Sequence, residues 1–107
     1  MFNDDTEKVY KYDNAIYNLH IYDSYIQLTS HIKENDHISV SWLSISCVKE
    51  NTGQTDYIMN ECNNNLQLEM KKLDSFQVLL FLNDNFPSEV ATAFLDTCKE
   101  YGFTPLE

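Results

Sequence analysis

The strict alternation of apolar and small polar residues in Ile38-Ser39-Val40-Ser41-Trp42 is the tightest constraint this chain places on its own fold. Successive side chains of an extended strand point to opposite faces, so a period of two specifies a strand with one face on a core and the other toward water. After Trp42 the phase moves by one residue: Leu43, Ile45 and Cys47 carry the apolar set, and Ser44 and Ser46 take the other face. A β-bulge absorbs such a shift and bends its strand, which predicts a strongly curved sheet.

Two periodicities compete between Tyr10 and Asp23. Tyr17, Leu19 and Ile21 alternate as in a strand, whereas Tyr17, Ile21, Tyr25, Leu28 and Ile32 sit at helical intervals. Richness in β-branched and aromatic residues favours strands over residues 15–22 and 25–32, with a turn at Asp23-Ser24. Residues 33–36 read as a loop, and residues 50–54, with Gly53, as a turn before a short strand over residues 57–59. Asn63-Asn64-Asn65 turns the chain into a strand whose apolar face is Leu66, Leu68 and Met70. Leu73-Asp74-Ser75 turns it again. The run from Phe76 to Leu82 is continuously apolar, which predicts a central strand covered on both faces.

The last segment has the period of a helix. Val90, Ala91, Phe94, Leu95, Cys98 and Tyr101 form one stripe, with Glu89, Thr92, Asp96 and Lys99 outside it. Asn85 or Ser88 is the expected N-cap, Pro87 suits the first turn, and Gly102 can close the helix in a left-handed conformation before Pro105. The expected fold is therefore α+β: a curved, mainly antiparallel β-sheet of about five to seven strands with one C-terminal amphipathic helix, in a single domain over residues 1–107. In outline this resembles the pleckstrin-homology-like bacterial domains, with Ile38 to Trp42 as a mid-sheet strand and Phe86 to Tyr101 as the closing helix.

Charge bears on function more than on fold. Seventeen acidic residues face seven basic ones, and lysines 8, 11, 33, 49, 71, 72 and 99 account for all of the latter, so there is no arginine. A formal charge of -10 opposes binding to nucleic acid or anionic lipid and favours a cationic protein partner. Only Lys71-Lys72 is an adjacent basic pair, and with two glycines there is no Gly-rich phosphate loop. Neither Cys-x-x-Cys nor His-x-x-x-His spacing occurs, and His31 and His37, with Asp36 nearby, read as solvated loop residues rather than metal ligands. His20 is expected at the surface, opposite Leu19 and Ile21. No nucleophile, base and orienting group come together, so the chain reads as a non-enzyme without a cofactor.

Three cysteines, Cys47, Cys62 and Cys98, leave at least one thiol unpaired, and the first residues lack the basic and apolar segments of a secretory signal. A cytoplasmic protein is the expectation. Abundant asparagine, isoleucine and lysine beside zero arginine resembles coding by an AT-rich bacterial or phage genome. The acids gather in connections, where recognition usually sits. Glu34, Asp36, Glu50, Asp56 and Glu61, with Tyr57 packed centrally, are the candidate partner-binding residues.

A small acidic domain of this kind resembles the immunity proteins with which bacteria neutralise nuclease toxins. The resemblance implies an inhibitor whose carboxylates occlude a basic active cleft, without membrane or direct nucleic-acid binding and with a homodimer left open. Two other readings stand beside it, the first using the same acidic surface and the second leaving the charge incidental. One is a phage anti-defence protein that mimics nucleic acid, and the other a pleckstrin-like adaptor that binds a peptide at a sheet edge.

Overall fold

The computed structural model describes residues 6–12, 15–32, 41–50, 54–63 and 66–103. Expectations that fall on residues 33–40, 51–53 and 64–65 and on Pro105, including the Ile38–Val40 half of the alternating strand, lie outside these. Strands β1 (Thr6–Lys11), β2 (Ala15–Ile21), β3 (Tyr25–Ile32), β4 (Ser41–Lys49), β5 (Thr55–Asn63) and β6 (Leu66–Leu73) precede helices α1 (Ser75–Asn85) and α2 (Ser88–Glu100). The six strands form one antiparallel meander in sequence order. It is an α+β fold with two C-terminal helices rather than one, and its sheet is neither closed nor strongly curled.

Register explains the core. Leu19, Leu28, Ile45 and Met59 stand opposite one another across four strands, as do Ile21, Ile26, Cys47, Tyr57 and Leu73 across five. Both rows lie on the face that meets the helices, where all but the buried Met59 cluster with Val78, Leu82, Phe86, Val90, Phe94, Cys98 and Phe103. Leu19, Ile26, Leu28, Ile45 and Phe94 are fully buried, and each such side chain contributes about 1.5–3 kcal/mol through removal from water.

The strands expected over residues 15–22 and 25–32 are β2 and β3, because every second residue there enters a core row. The bulge expected at Trp42/Leu43 is absent: β4 pairs in unbroken register with β3 from Ser41 and with β5 from Trp42. The phase change needs no backbone irregularity, since Leu43, Ile45 and Cys47 face the helices while Trp42 lies, half-buried, on the opposite face. Without that bulge the expected strong curvature has no source. A register shift occurs instead between Glu61 and Cys62, where β5 meets β6. It reverses the expected role of Met70, which pairs with Asn60 on the face away from the helices and is 65% exposed.

The largest departure is α1, expected as a central strand over Phe76–Leu82. Its start is fixed by a capping box: the Asp74 carboxylate accepts from the Gln77 backbone N–H at 2.8 Å, and the Gln77 side-chain oxygen accepts from the Asp74 N–H at 3.0 Å. The run is rich in leucine, a strong helix former, and holds a single β-branched residue, Val78. Val78 and Leu82, one helical turn apart, enter the core, while Phe76, Leu79 and Leu80 remain exposed. Apolar residues all round the helix produce the continuous hydrophobicity that imitates a buried strand.

Pro87 separates the two helices. It has no N–H to continue α1 and holds Phe86 extended, and it is itself the N-cap of α2 in place of Asn85 or Ser88. Asn85 instead donates its side-chain N–H to the Phe81 carbonyl at 2.9 Å. At the far end Gly102 takes φ 81 as expected. Its N–H reaches the Lys99 carbonyl and the Phe103 N–H reaches the Cys98 carbonyl, at 3.1 and 3.0 Å, which is the double bond of a Schellman motif. Phe103 is thereby turned into the core, with the Lys49 ammonium 5.7 Å from its ring centre.

Candidate functional site

An antiparallel meander sends alternate connections to opposite ends of its sheet, so the position of each acid follows from strand direction. The turn after β2, the connection after β4 and the corner after β6 share one end, and a bond from the Lys49 N–H to the Ser24 carbonyl at 3.1 Å ties two of them together. That end carries Asp23, Glu50 and Asp74, all exposed, with Glu7 near the start of β1 and Asp56 near the start of β5. Exposed Lys8, Lys49, Lys71 and Lys72 share this end and offset much of its charge, and the Lys72 ammonium is 3.1 Å from the Asp56 carboxylate, whose side chain is 12% exposed.

The residues expected to form one binding surface are not together. Glu50 is exposed at the end of β4, its N–H closing the connection onto the Gln54 carbonyl at 2.8 Å. Asp56 lies on the face away from the helices. Tyr57 points the other way into the core, 7% exposed, so it cannot pack centrally in an interface. Glu61 is five residues beyond Asp56, roughly 17 Å along an extended strand, and on the helix-side face opposite Glu69. Glu34 and Asp36 lie outside the described residues. Asp23 and Asp74, turn residues by sequence, share this end with Glu50 because of strand direction, not sequence distance.

The open face of the sheet, away from the helices, has its own order. Asn18, Thr29, Ser44 and Asn60 form an unbroken polar row across β2 to β5. The parallel row runs His20, Gln27, Ser46, Ile58 and Lys72, and within it the Gln27 side chain donates to the Ser46 hydroxyl at 3.1 Å. His20 is on this outer face as expected, stacked on Tyr22, which stacks on Tyr25, with ring centres 4.5 and 4.3 Å apart. Its Nδ1 lies 4.0 Å from the Glu7 carboxylate, which also accepts from the Asn18 amide at 2.6 Å.

Inside the core, Cys47 and Cys98 are buried as expected, and Cys62 is buried as well. A hydrogen bond with Cys47, then burial, pushes the Cys98 thiol well above its ordinary value, and burial does the same to the Tyr57 phenol. Cys98 and Tyr57 therefore keep their protons, while the hydrogen bond with Cys98 lowers the Cys47 thiol from its ordinary value. Among the described residues no group of three or more His, Cys, Asp or Glu side chains could hold a metal ion, and no helix is long and apolar enough to cross a membrane. His31 is exposed on β3.

No protein-family model, curated protein or solved structure matches the chain.

Proposed function

We propose that the protein is an acidic protein-binding inhibitor, an immunity protein that neutralises a basic nuclease toxin by occluding its active cleft. The observation that carries this reading is the formal charge of -10 in a chain with seventeen acids and no arginine, with exposed Asp23, Glu50 and Asp74 on connections at one end of the sheet. A nuclease cleft is lined with cations because it grips phosphates. Carboxylates held on short connections can stand where phosphates would lie, and opposite net charges speed the encounter. In this reading Glu50 keeps the role expected of it and is joined by Asp23, Asp74 and Glu7, while buried Tyr57 drops out.

The test begins with the immobilised protein exposed to a lysate of the organism that encodes it, washed, and eluted with salt. The eluate should digest RNA or DNA, and free protein added back should suppress the digestion. An eluate without nuclease activity, or with activity indifferent to the added protein, contradicts the proposal.

A further inference from the structure

Three cysteines are buried, and two of them meet. Cys47 lies in the row Ile21, Ile26, Cys47 and Tyr57 on the helix-side face of the sheet, and Cys98 lies on the buried stripe of α2 with Val90, Ala91, Phe94 and Thr97. The end of α2 is fastened over the end of β4: the Phe103 N–H bonds the Cys98 carbonyl, and the Phe103 ring receives the ammonium of Lys49, two residues along β4 from Cys47 and on the same face. Across this junction the two thiols hydrogen-bond to each other. Cys62 is not part of it. It pairs with Trp42 on the open face, with the sheet between it and the other two.

A pair of thiols in contact differs chemically from isolated ones, because one sulfur can displace a leaving group from the other. Here the two are also unequal. The Cys98 S–H and the O–H of Tyr57, directly opposite on β5, both donate to the Cys47 sulfur, which favours its thiolate against the cost of burial. The same thiol bond, then burial, holds the proton on Cys98. Cys47 is thus the sulfur that reacts first and Cys98 the one that follows.

We propose that Cys47 and Cys98 form a reversible oxidation site, closed to a disulfide by hydrogen peroxide and reopened by thiols. The Cys47 thiolate attacks one peroxide oxygen: the O–O bond breaks, an S–O bond forms, and the other oxygen leaves as water with the proton that Cys47 gave up. The Cys98 sulfur then attacks the Cys47 sulfenic sulfur, the S–O bond breaks, and the hydroxyl leaves as a second water with the Cys98 proton. Two thiols lose two electrons and two protons, and the peroxide takes up both. Because both side chains are enclosed, the oxidant has to be small, and opening of the last turn of α2, held by the Gly102 and Phe103 N–H bonds, admits it. The disulfide ties α2 to β4 and closes a loop of roughly 50 residues, which removes conformations from the unfolded chain and stabilises the folded one. This site goes beyond the nuclease reading and does not depend on it.

The test exposes the reduced full chain to excess hydrogen peroxide, removes the oxidant, and reads the intact mass, the free thiols in denaturant and the peptides released by proteolysis without reductant. The mass should fall by two hydrogens, the free thiols should drop from three to one, and the Cys47 and Cys98 peptides should emerge linked. The midpoint of urea unfolding should rise, and dithiothreitol should reverse every change. Cys62→Ser should keep the linkage and Cys98→Ser should lose it, while the peptide map of the unaltered chain decides the matter even where a variant fails to fold. Links that involve Cys62, covalent dimers, oxygen added to cysteine without a cross-link, or three thiols left intact would overturn the inference, as would a linked chain whose urea midpoint is unchanged or lower.

Discussion

Asp74 shows how one side chain can be structural and surface-active together. Its carboxylate closes the first turn of α1 through the Gln77 N–H and adds charge to the end of the sheet that holds Asp23 and Glu50. Asp74→Ala should cost about 0.5–2 kcal/mol in urea unfolding, while Asp74→Asn, which can still cap, should recover most of it. Equal losses in the two variants would show that charge, not the cap, is what stabilises. Tyr57 makes a second residue-scale prediction. Its phenol is raised by burial, so below the ordinary phenol value near 10 both folded and unfolded chains keep the proton and the contribution is intact. Above that pH only the unfolded chain releases it, so stability falls as pH rises. Tyr57→Phe should flatten the decline between about pH 10 and 11 by up to about 1.4 kcal/mol per pH unit. Unchanged pH dependence of urea unfolding would contradict the burial of this phenol.

Among the elements, the strands were legible wherever alternation matched a core row, as in β2, β3 and β4. The Phe76–Leu82 run was misleading because hydrophobicity without a period does not distinguish a buried strand from a helix that leaves Phe76, Leu79 and Leu80 in water. The decisive signal was present in Asp74-Ser75-Phe76-Gln77, a capping box, and in the scarcity of β-branched residues after it. Register was not legible: nothing local announces the shift at Glu61/Cys62, which puts Met70 on the open face and Glu61 opposite Glu69. That like-charged cross-strand pair is unfavourable, so Glu69→Lys should stabilise the sheet by about 0.2–1 kcal/mol. A midpoint of urea unfolding that falls instead would mean that this register is wrong.

For the molecule as a whole, acidity was legible from composition and its distribution was not, since Asp23, Glu50 and Asp74 share one end of the sheet only through the meander. The polar order of the open face was hidden for the same reason. Asn18, Thr29, Ser44 and Asn60 each look like an ordinary outward polar residue until cross-strand pairing lines them up. What the molecule offers a partner is then a net charge of -10, part of it on exposed Asp23, Glu50 and Asp74. In the proposed role, long-range attraction brings the nuclease in. The most direct measurement is the association rate constant with the captured nuclease across ionic strengths from about 0.01 to 1 M, over which the screening length falls from about 30 to about 3 Å. The rate should drop at least about tenfold, and the drop should shrink when Asp23, Glu50 and Asp74 are all replaced by asparagine or glutamine. A rate constant that stays level across that range, or a salt dependence untouched by the replacements, would contradict electrostatic capture.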